Sequence, residues 1–173
     1  TNASRTLLMD LATGDWSAEM LELFGLEADR WEDMAPRIRP SIGRFGEVAG
    51  DVALAGVPVS GVLGDQQAAA FGLALFRPGD TKNTYGTGCF LLQHTGTVRP
   101  TSDHGLVSTV AFQREGGPLH YALEGSVAVA GSLVQWLRDG LGIISSSAEV
   151  EEAAASVPDN GGVVIVPAFS GLY

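Results

Sequence analysis

The strongest constraint in this sequence is the transition GVPVSGVLGDQQAAAFG, residues 56–72. An apolar, β-branched run typical of a buried strand ends at the single carboxylate of Asp65, and a segment typical of a helix over 66–76 follows. Open α/β sheets bind ligands where a strand ends and a helix begins. Asp65 is therefore either the N-cap of that helix, or a carboxylate placed to accept a proton from a substrate hydroxyl.

Composition narrows the class of protein. The 173 residues are 45% hydrophobic, which is enough for a substantial core, and the 23 glycines favour tight turns and close backbone approaches to a ligand. The net charge of −10 and the lack of a basic stripe argue against nucleic-acid binding. No apolar run is long enough to span a bilayer, and the single Cys89 cannot form an internal disulfide, so we expect a cytoplasmic protein.

The ends of the sequence predict a piece of a longer protein. Position 1 is not Met, and the sequence ends at Tyr173, directly after the apolar run VVIVPAF. The cluster Pro78-Gly79-Asp80 is a candidate domain boundary.

The local patterns predict an α/β protein with mixed sheets. A buried strand precedes Asp65, Ser17 is the expected N-cap of the first helix, and Glu-Gly-Gly-Pro at 115–118 predicts a turn between antiparallel strands. The other predicted elements are a strand–turn–strand segment over 5–16, a helix over 17–25, irregular structure over 28–50 with a short strand near 45–48, strands at 82–93, 106–113 and 119–124, helices at 127–141 and 146–156, and a strand at 163–169.

The motif NTYGTGCF, residues 83–90, has two interpretations. It lacks the Lys-Ser/Thr of a Walker A loop and the spacing of a Rossmann fingerprint. Gly86 and Gly88 could simply permit a hairpin or bulge. Alternatively, their bare N–H groups and the Thr87 hydroxyl could cradle a phosphate, with Phe90 as an apolar wall.

A third segment, EGSVAVAGSLVQWLRD at 124–139, combines an apolar stripe with a polar face. The stripe predicts core packing by Val127, Ala130, Val134, Leu137 and Leu141. Gly131 and Gln135 lie one turn apart, and a position without a side chain below an amide donor suits a nucleotide lying against the helix.

The histidine spacing does not indicate a metal site. The spacing of His94, His104 and His120 does not match a metal-ligand pattern, so we expect structural or solvated histidines and no metal site.

Five segments, taken together and in this order, resemble the FGGY carbohydrate kinases. They are TNASRT at 1–6, GVPVSGVLGDQQAA at 56–69, KNTYGTGCF at 82–90, YALEGSVAVAGSLVQWLRD at 121–139 and VVIVPAFSGLY at 163–173. They span nearly the whole chain, and NTYGTGCF after GDQQAA is similar to the branch of that family that phosphorylates glycerol.

The resemblance implies an actin-like fold with two ribonuclease-H-like domains. Residues 1–76 would be the end of the first domain, which carries the substrate and the catalytic base, and 77–173 the start of the second, on the nucleotide side. The implied reaction is in-line transfer of the γ-phosphoryl group of ATP to glycerol, giving sn-glycerol 3-phosphate, with Mg²⁺ neutralising the phosphates.

The resemblance also implies residue roles. Asp65 would be the general base and a substrate ligand, Gln66 would contact glycerol, and Phe90 would pack against its carbon backbone. The residues implied at the nucleotide are Thr87, Gly88, Gly131 and Gln135. The full-length protein would be a homo-oligomer, as is common in the family.

Some family features are not matched. The N-terminal phosphate loop, other glycerol-holding residues and a later glycine loop lie outside this sequence, so we expect the isolated chain to be inactive. The Arg-containing loop that binds an allosteric sugar bisphosphate in some bacterial relatives reads GDVALAG here, at 50–56. Two alternatives stay open: an FGGY kinase for another polyol or ketose, and a non-catalytic actin-like nucleotide-binding module.

Overall fold

A computed structural model describes residues 1–26, 28–169 and 171. These residues form two compact units. The first comprises 1–82 and 92–124, and the second comprises 83–91 and 125–173.

The first unit begins with a short 3₁₀ helix and a tight hairpin. The 3₁₀ helix spans Ala3–Arg5, and strands β1 (Met9–Asp10) and β2 (Asp15–Trp16) pair antiparallel. Gly14 adopts φ +78° in the connecting turn, a conformation that favours glycine. The predicted strand–turn–strand segment is therefore present, but its first strand starts at Met9, because residues 3–5 form the 3₁₀ helix and residues 6–7 form a bend.

The first α-helix confirms its predicted capping. Helix α1 spans Ala18–Leu23, and the Ser17 hydroxyl accepts a hydrogen bond from the Met20 amide at 3.3 Å. Gly25, at φ +68°, follows the helix end in the left-handed region.

The prediction of irregular structure over 28–50 misses one helix. Helix α2 spans Ala28–Met34, ahead of Pro36. Its Trp31 packs edge-on against Trp16, with ring centroids 5.4 Å apart. The local sequence does not predict this tertiary contact, and so it does not predict the helix. The short strand predicted near 45–48 is present as β3, Ile42–Glu47.

The strand before Asp65 is present but is not buried, so that part of the prediction is wrong. Strand β4 spans Pro58–Gly61 and pairs antiparallel with β3, with Val59 opposite Gly46. All four of its residues are exposed, and among the described residues its sheet consists of β3 and β4.

Helix α3 spans Asp65–Gly72, which is shorter than the predicted 66–76. Ala74 adopts φ +60°, which interrupts the helical path. The Asp80 carboxylate then accepts hydrogen bonds from the amides of Phe76 and Arg77, which fixes the turn containing Pro78 and Gly79.

A four-stranded sheet follows, in the order β5-β6-β8-β7. Its strands are β5 (Thr81–Tyr85), β6 (Cys89–Gly96), β7 (Val107–Gln113) and β8 (Leu119–Val127). The predicted antiparallel pairing of β7 and β8 is confirmed by the register from Val107↔Glu124 to Gln113↔Leu119. The predicted strand over 82–93 is divided in two by a tight turn at 86–88, as the hairpin interpretation of the glycines requires.

The core of the first unit lies between α3 and this sheet. It is built from small and aromatic side chains: Ala70, Leu75, Leu92, Ala111, Phe112 and Ala122. Phe112 makes an edge-to-face contact with Phe71 at 5.6 Å and stacks on His120 at 4.4 Å. His94 is buried beside this stack, and its Nε2 lies 3.1 Å from His120 Nδ1. Of the structural or solvated roles expected for the histidines, His94 and His120 have the structural one.

The second unit contains helices α4 (Gly131–Asp139) and α5 (Glu149–Ala155). Helix α4 starts later than the predicted 127, because β8 continues to Val127. The predicted core stripe is wrong, since α4 has no buried residue and both Val127 and Leu141 are about half exposed.

The run VVIVPAF is not a strand. Residues 163–169 have no sheet partner among the described residues, and Val163 to Val166 are exposed. Phe169 packs against Trp136, with ring centroids 5.0 Å apart. No helix within the described ranges has the length and apolar character needed to cross a bilayer.

We predict that His120 makes the protein less stable in mild acid. Burial lowers the pKa of His120 below its ordinary 6.5, and the neighbouring His94 and Arg114 lower it further. Folding therefore disfavours the imidazolium, so the contribution is fully present above about pH 6.5 and is lost as the pH falls through the lower folded-state pKa.

The measurement compares thermal unfolding midpoints at about pH 7.5 and about pH 5.5 for the wild type, His120→Phe and His104→Gln. The acid-induced drop should be smaller in His120→Phe, which keeps an aromatic ring against Phe112. The exposed His104 is the control and should behave as the wild type. Equal drops in all three proteins would contradict the assignment.

Candidate active site

Asp65 is the first residue of α3, not its N-cap. Gly64 occupies the N-cap position, and no side chain caps the helix there. The Asp65 side chain is exposed. The N-cap interpretation is therefore wrong, which leaves a solvent-facing carboxylate in the first turn of a helix.

The start of α3 is anchored by hydrogen bonds from neighbouring segments. The Gly64 amide donates to Thr1 Oγ1 at 2.9 Å, and the buried Gln67 donates from Nε2 to Thr109 Oγ1 at 3.4 Å. A Cβ at Gly64 would lie 2.7 Å from Gln67 Oε1, so a larger residue there would push this buried amide. The backbone that carries Asp65 is thus held in place.

Gln66 connects Asp65 to a residue that sequence reasoning missed. Its Nε2 lies 3.4 Å from Asp65 Oδ2, and its Oε1 accepts a hydrogen bond from Lys82 Nζ at 2.5 Å. Lys82 is the only lysine in the sequence, and its exposure on strand β5 is 6%.

Two carboxylates compensate the buried charge of Lys82. Burial lowers the pKa of its ammonium, while Glu124 and Asp65 raise it. Glu124, itself only 5% exposed, accepts two hydrogen bonds from Arg5, at 2.8 and 3.1 Å. Two basic and two acidic side chains therefore alternate along one network, which we call the Lys82 network: Arg5, Glu124, Lys82 and Asp65.

A weak signal for this network exists in the sequence. Lys82 belongs to the quoted segment KNTYGTGCF, and a lysine is depleted inside apolar strands. Glu124 begins the segment EGSVAVAG, whose apolar residues predict a helix and do not indicate that Glu124 pairs with a cation. Neither residue's sequence context indicates its charged partner, because the contacts join distant parts of the chain.

In the second unit, the turn at 86–88 packs against the start of α4. The Gly131 amide donates to the Gly86 carbonyl at 2.9 Å, and the Ala130 amide donates to the Thr87 carbonyl at 2.8 Å. The Ser132 hydroxyl also donates to the Thr87 carbonyl, at 3.1 Å. The turn carbonyls thus bond to the first amides of the helix.

Glycine is required at this contact for steric reasons. A Cβ at Gly131 would lie 2.5 Å from the Gly86 carbonyl oxygen, and a Cβ at Gly88 would lie 2.5 Å from the Val127 carbonyl oxygen. Both distances are below any tolerated Cβ contact, and the obstacle is backbone in each case.

A cavity of about 520 Å³ opens beside this contact. That volume lies within the range of small-molecule sites. Three of the predicted nucleotide residues line it, namely Thr87, Gly131 and Gln135, together with residues of the α5 region: Ser147, Val150, Glu151 and Ala154. Gly88, the last residue of the turn, is buried, and Phe90 lies partly exposed on β6. Neither residue lines this cavity.

Metal-ligand geometry is not found in the part of the chain that the structure describes. No group of three or more His, Cys, Asp or Glu side chains there is close enough to hold an ion.

Comparison with known families defines the class. The model for the FGGY family of carbohydrate kinases, N-terminal domain, matches residues 1–72, and the model for the C-terminal domain of the same family matches residues 81–173. The predicted actin-like, ribonuclease-H-like ATPase fold is confirmed. The chain belongs to the FGGY family of carbohydrate kinases.

Among individual proteins, the chain is similar to bacterial glycerol kinases. It is 59% identical to that of Renibacterium salmoninarum, covering 100% of this chain and 34% of the relative. It is 56% identical to that of Corynebacterium glutamicum, covering 100% and 33%. The chain thus spans about a third of the length of these relatives.

Two solved kinase structures are also similar to the chain. The crystal structure of Plasmodium falciparum glycerol kinase with ADP aligns with a TM-score of 0.89 and 39% identity, covering 100% of this chain and 34% of that one. The xylulose kinase from Rhodospirillum rubrum aligns with a TM-score of 0.73 and 26% identity, covering 95% and 33%.

We predict that Gly131→Ala disrupts the contact between the turn and α4. The added methyl group must displace the Gly86 carbonyl, which should cost about 1–3 kcal/mol of unfolding free energy and open the cavity wall. Gly72→Ala is the matched control, since a Cβ there meets nothing and Ala favours the helix.

The measurement is the unfolding midpoint of the wild type and both variants. We expect Gly131→Ala to lower the midpoint, and Gly72→Ala to leave it unchanged or to raise it slightly. Unchanged stability in Gly131→Ala would show that the turn accommodates a methyl group, against the geometry.

Proposed function

We propose that the full-length protein phosphorylates glycerol with ATP, giving sn-glycerol 3-phosphate and ADP, and that Asp65 is the general base. One observation carries this proposal: in a chain of the FGGY family, the carboxylate of Asp65 is exposed at the first turn of α3 with the Gln66 amide beside it. Glycerol is favoured as acceptor because relatives named glycerol kinase are 56–59% identical over the whole chain.

The proposed acceptor contacts are Asp65, Gln66 and Phe90. Asp65 accepts the proton of the reacting hydroxyl, and the Gln66 amide binds a hydroxyl oxygen. Phe90, which is 37% exposed, offers an apolar surface for the carbon chain.

The proposed nucleotide contacts are Thr87, Gly88, Gly131 and Gln135. Thr87, Gly131 and Gln135 line the 520 Å³ cavity of the second unit, and the solved structure of the Plasmodium falciparum glycerol kinase contains ADP. Thr87 and Gly88 would contact phosphates, and Gly131 and Gln135 would lie further along the nucleotide. Mg²⁺ would arrive with ATP as part of that substrate, held mainly by phosphate oxygens and water.

The bond changes follow from phosphoryl-transfer chemistry. The acceptor oxygen attacks the γ-phosphorus in line, its proton passes to the Asp65 carboxylate, and the bond from the γ-phosphorus to the β,γ-bridging oxygen breaks to release ADP. Catalysis of this step requires mainly positioning, charge stabilisation and one base.

The domain assignment is also a proposal. Residues 1–76 would belong to the first FGGY domain and 77–173 to the second, in line with family matches at 1–72 and 81–173. The isolated chain should not turn over, since it spans about a third of its relatives. We further propose that the full-length protein is cytoplasmic and does not bind nucleic acid or insert into a membrane, as the acidic composition and single cysteine favour. The proposal that it is a homo-oligomer rests on the family resemblance alone.

A ketose is the second candidate acceptor. The structural similarity to the Rhodospirillum rubrum xylulose kinase, at 26% identity, favours it over other polyols. Both candidates use the same base and nucleotide contacts and differ in the residues that hold the acceptor.

We predict that Asp65→Asn strongly lowers the rate of transfer while nucleotide binding is retained. Removing a general base typically costs about 10²–10⁴-fold in kcat. The measurement is ATP-dependent phosphorylation by the full-length protein with glycerol, other polyols and ketoses, together with ATP binding. Asp103→Asn, an exposed carboxylate in the loop before β7, is the matched control.

The outcomes separate the alternatives. Glycerol turnover that collapses only in Asp65→Asn supports the proposal. Turnover that survives in Asp65→Asn removes Asp65 as the base, and activity restricted to a ketose changes the substrate. Nucleotide binding without transfer to any acceptor would identify a non-catalytic actin-like module.

A further inference from the structure

We propose that Lys82 is a positioning residue that fixes the orientation of the Gln66 side-chain amide beside Asp65. The geometry that carries this is the 2.5 Å hydrogen bond from Lys82 Nζ to Gln66 Oε1 and the 3.4 Å approach of Gln66 Nε2 to Asp65 Oδ2. The expected change in KM rests on the proposed function. The expected change in the Gln66 rotamer does not.

The chemistry of the two neighbours allows only one orientation of the amide. An ammonium has only donors, so it must face the carbonyl oxygen of Gln66. An ionised carboxylate has only acceptors, so it must face the NH₂ group. Flipping the amide by half a turn would place its NH₂ group against the Lys82 ammonium and its carbonyl oxygen against the Asp65 carboxylate. Both contacts are electrostatically unfavourable.

Lys82 itself is fixed by its surroundings. It is 6% exposed on β5, and Glu124 on β8 compensates its charge from within the same unit. Arg5 holds both oxygens of Glu124, so that this carboxylate cannot easily turn away. A compact cation fixed in this way can hold a flexible glutamine in one rotamer.

The consequence for the reaction is specific to the acceptor. One N–H of the oriented Gln66 amide can contact the carboxylate that receives the proton, and the other can donate to an acceptor hydroxyl. Without Lys82, the amide can rotate and the hydroxyl is bound less tightly. The nucleotide contacts lie in other residues and should be unaffected.

The test is steady-state kinetics on the full-length protein with Lys82→Met, Gln66→Leu and the double variant. Methionine keeps the length and apolar stem of lysine but has no charge. We expect each single variant to raise KM for glycerol about tenfold, the effect of losing about one hydrogen bond, with KM for ATP unchanged. Because Lys82 acts through Gln66, the double variant should be no worse than the more affected single variant.

Arg99→Met is the matched control, because it removes an exposed positive charge from a loop. It should leave both KM values unchanged. Additive effects of Lys82→Met and Gln66→Leu would overturn the inference, as would a loss shared equally between ATP and the acceptor, which indicates general structural damage.

A second measurement is independent of the reaction. Crystal structures of the full-length wild type and Lys82→Met should show the Gln66 amide turned away from its wild-type rotamer in the variant. An unchanged rotamer overturns the inference even where the protein transfers phosphate. A changed rotamer in a protein that transfers nothing supports the inference and removes the proposed function instead.

Discussion

The structure around Asp65 depends on one buried charge. An ammonium at 6% exposure is costly unless acidic groups compensate it, and Glu124 and Asp65 supply that compensation for Lys82. Glu124 is buried as well, so it needs the two hydrogen bonds from Arg5. The network therefore links the N-terminal segment, α3, β5 and β8 within the first unit, and removing one member leaves another buried charge without compensation.

The second unit depends on a steric constraint rather than a charge. Carbonyl groups of the 86–88 turn bond to the first amides of α4, and this approach is possible only because Gly131 has no side chain. Those amides are consequently occupied. In the proposed function, contacts to phosphate must come from the turn itself, beginning with the Thr87 hydroxyl, and the glycine at 131 serves the packing of the helix as much as the nucleotide.

Sequence patterns predicted those elements whose causes are local. The Ser17 cap, the hairpin of β7 and β8, and the glycine turn at 86–88 each follow from residues within a few positions. Burial was predicted poorly, because an apolar run indicates that a strand needs a cover but not which element provides it. Strand β4 is exposed and VVIVPAF is unpaired among the described residues, although both have the composition of core strands.

The residues of the candidate site also differ in whether the sequence alone can identify them. Asp65 and Gln66 could be singled out because they stand at a strand–helix transition, and Gly131 and Gln135 because they share a helical face. Lys82 and Glu124 could not, since their roles come from pairing across the fold, as the 119-residue separation of Arg5 and Glu124 illustrates. A motif therefore identifies the groups that would contact a substrate, whereas the groups that orient them become visible only when the chain is folded.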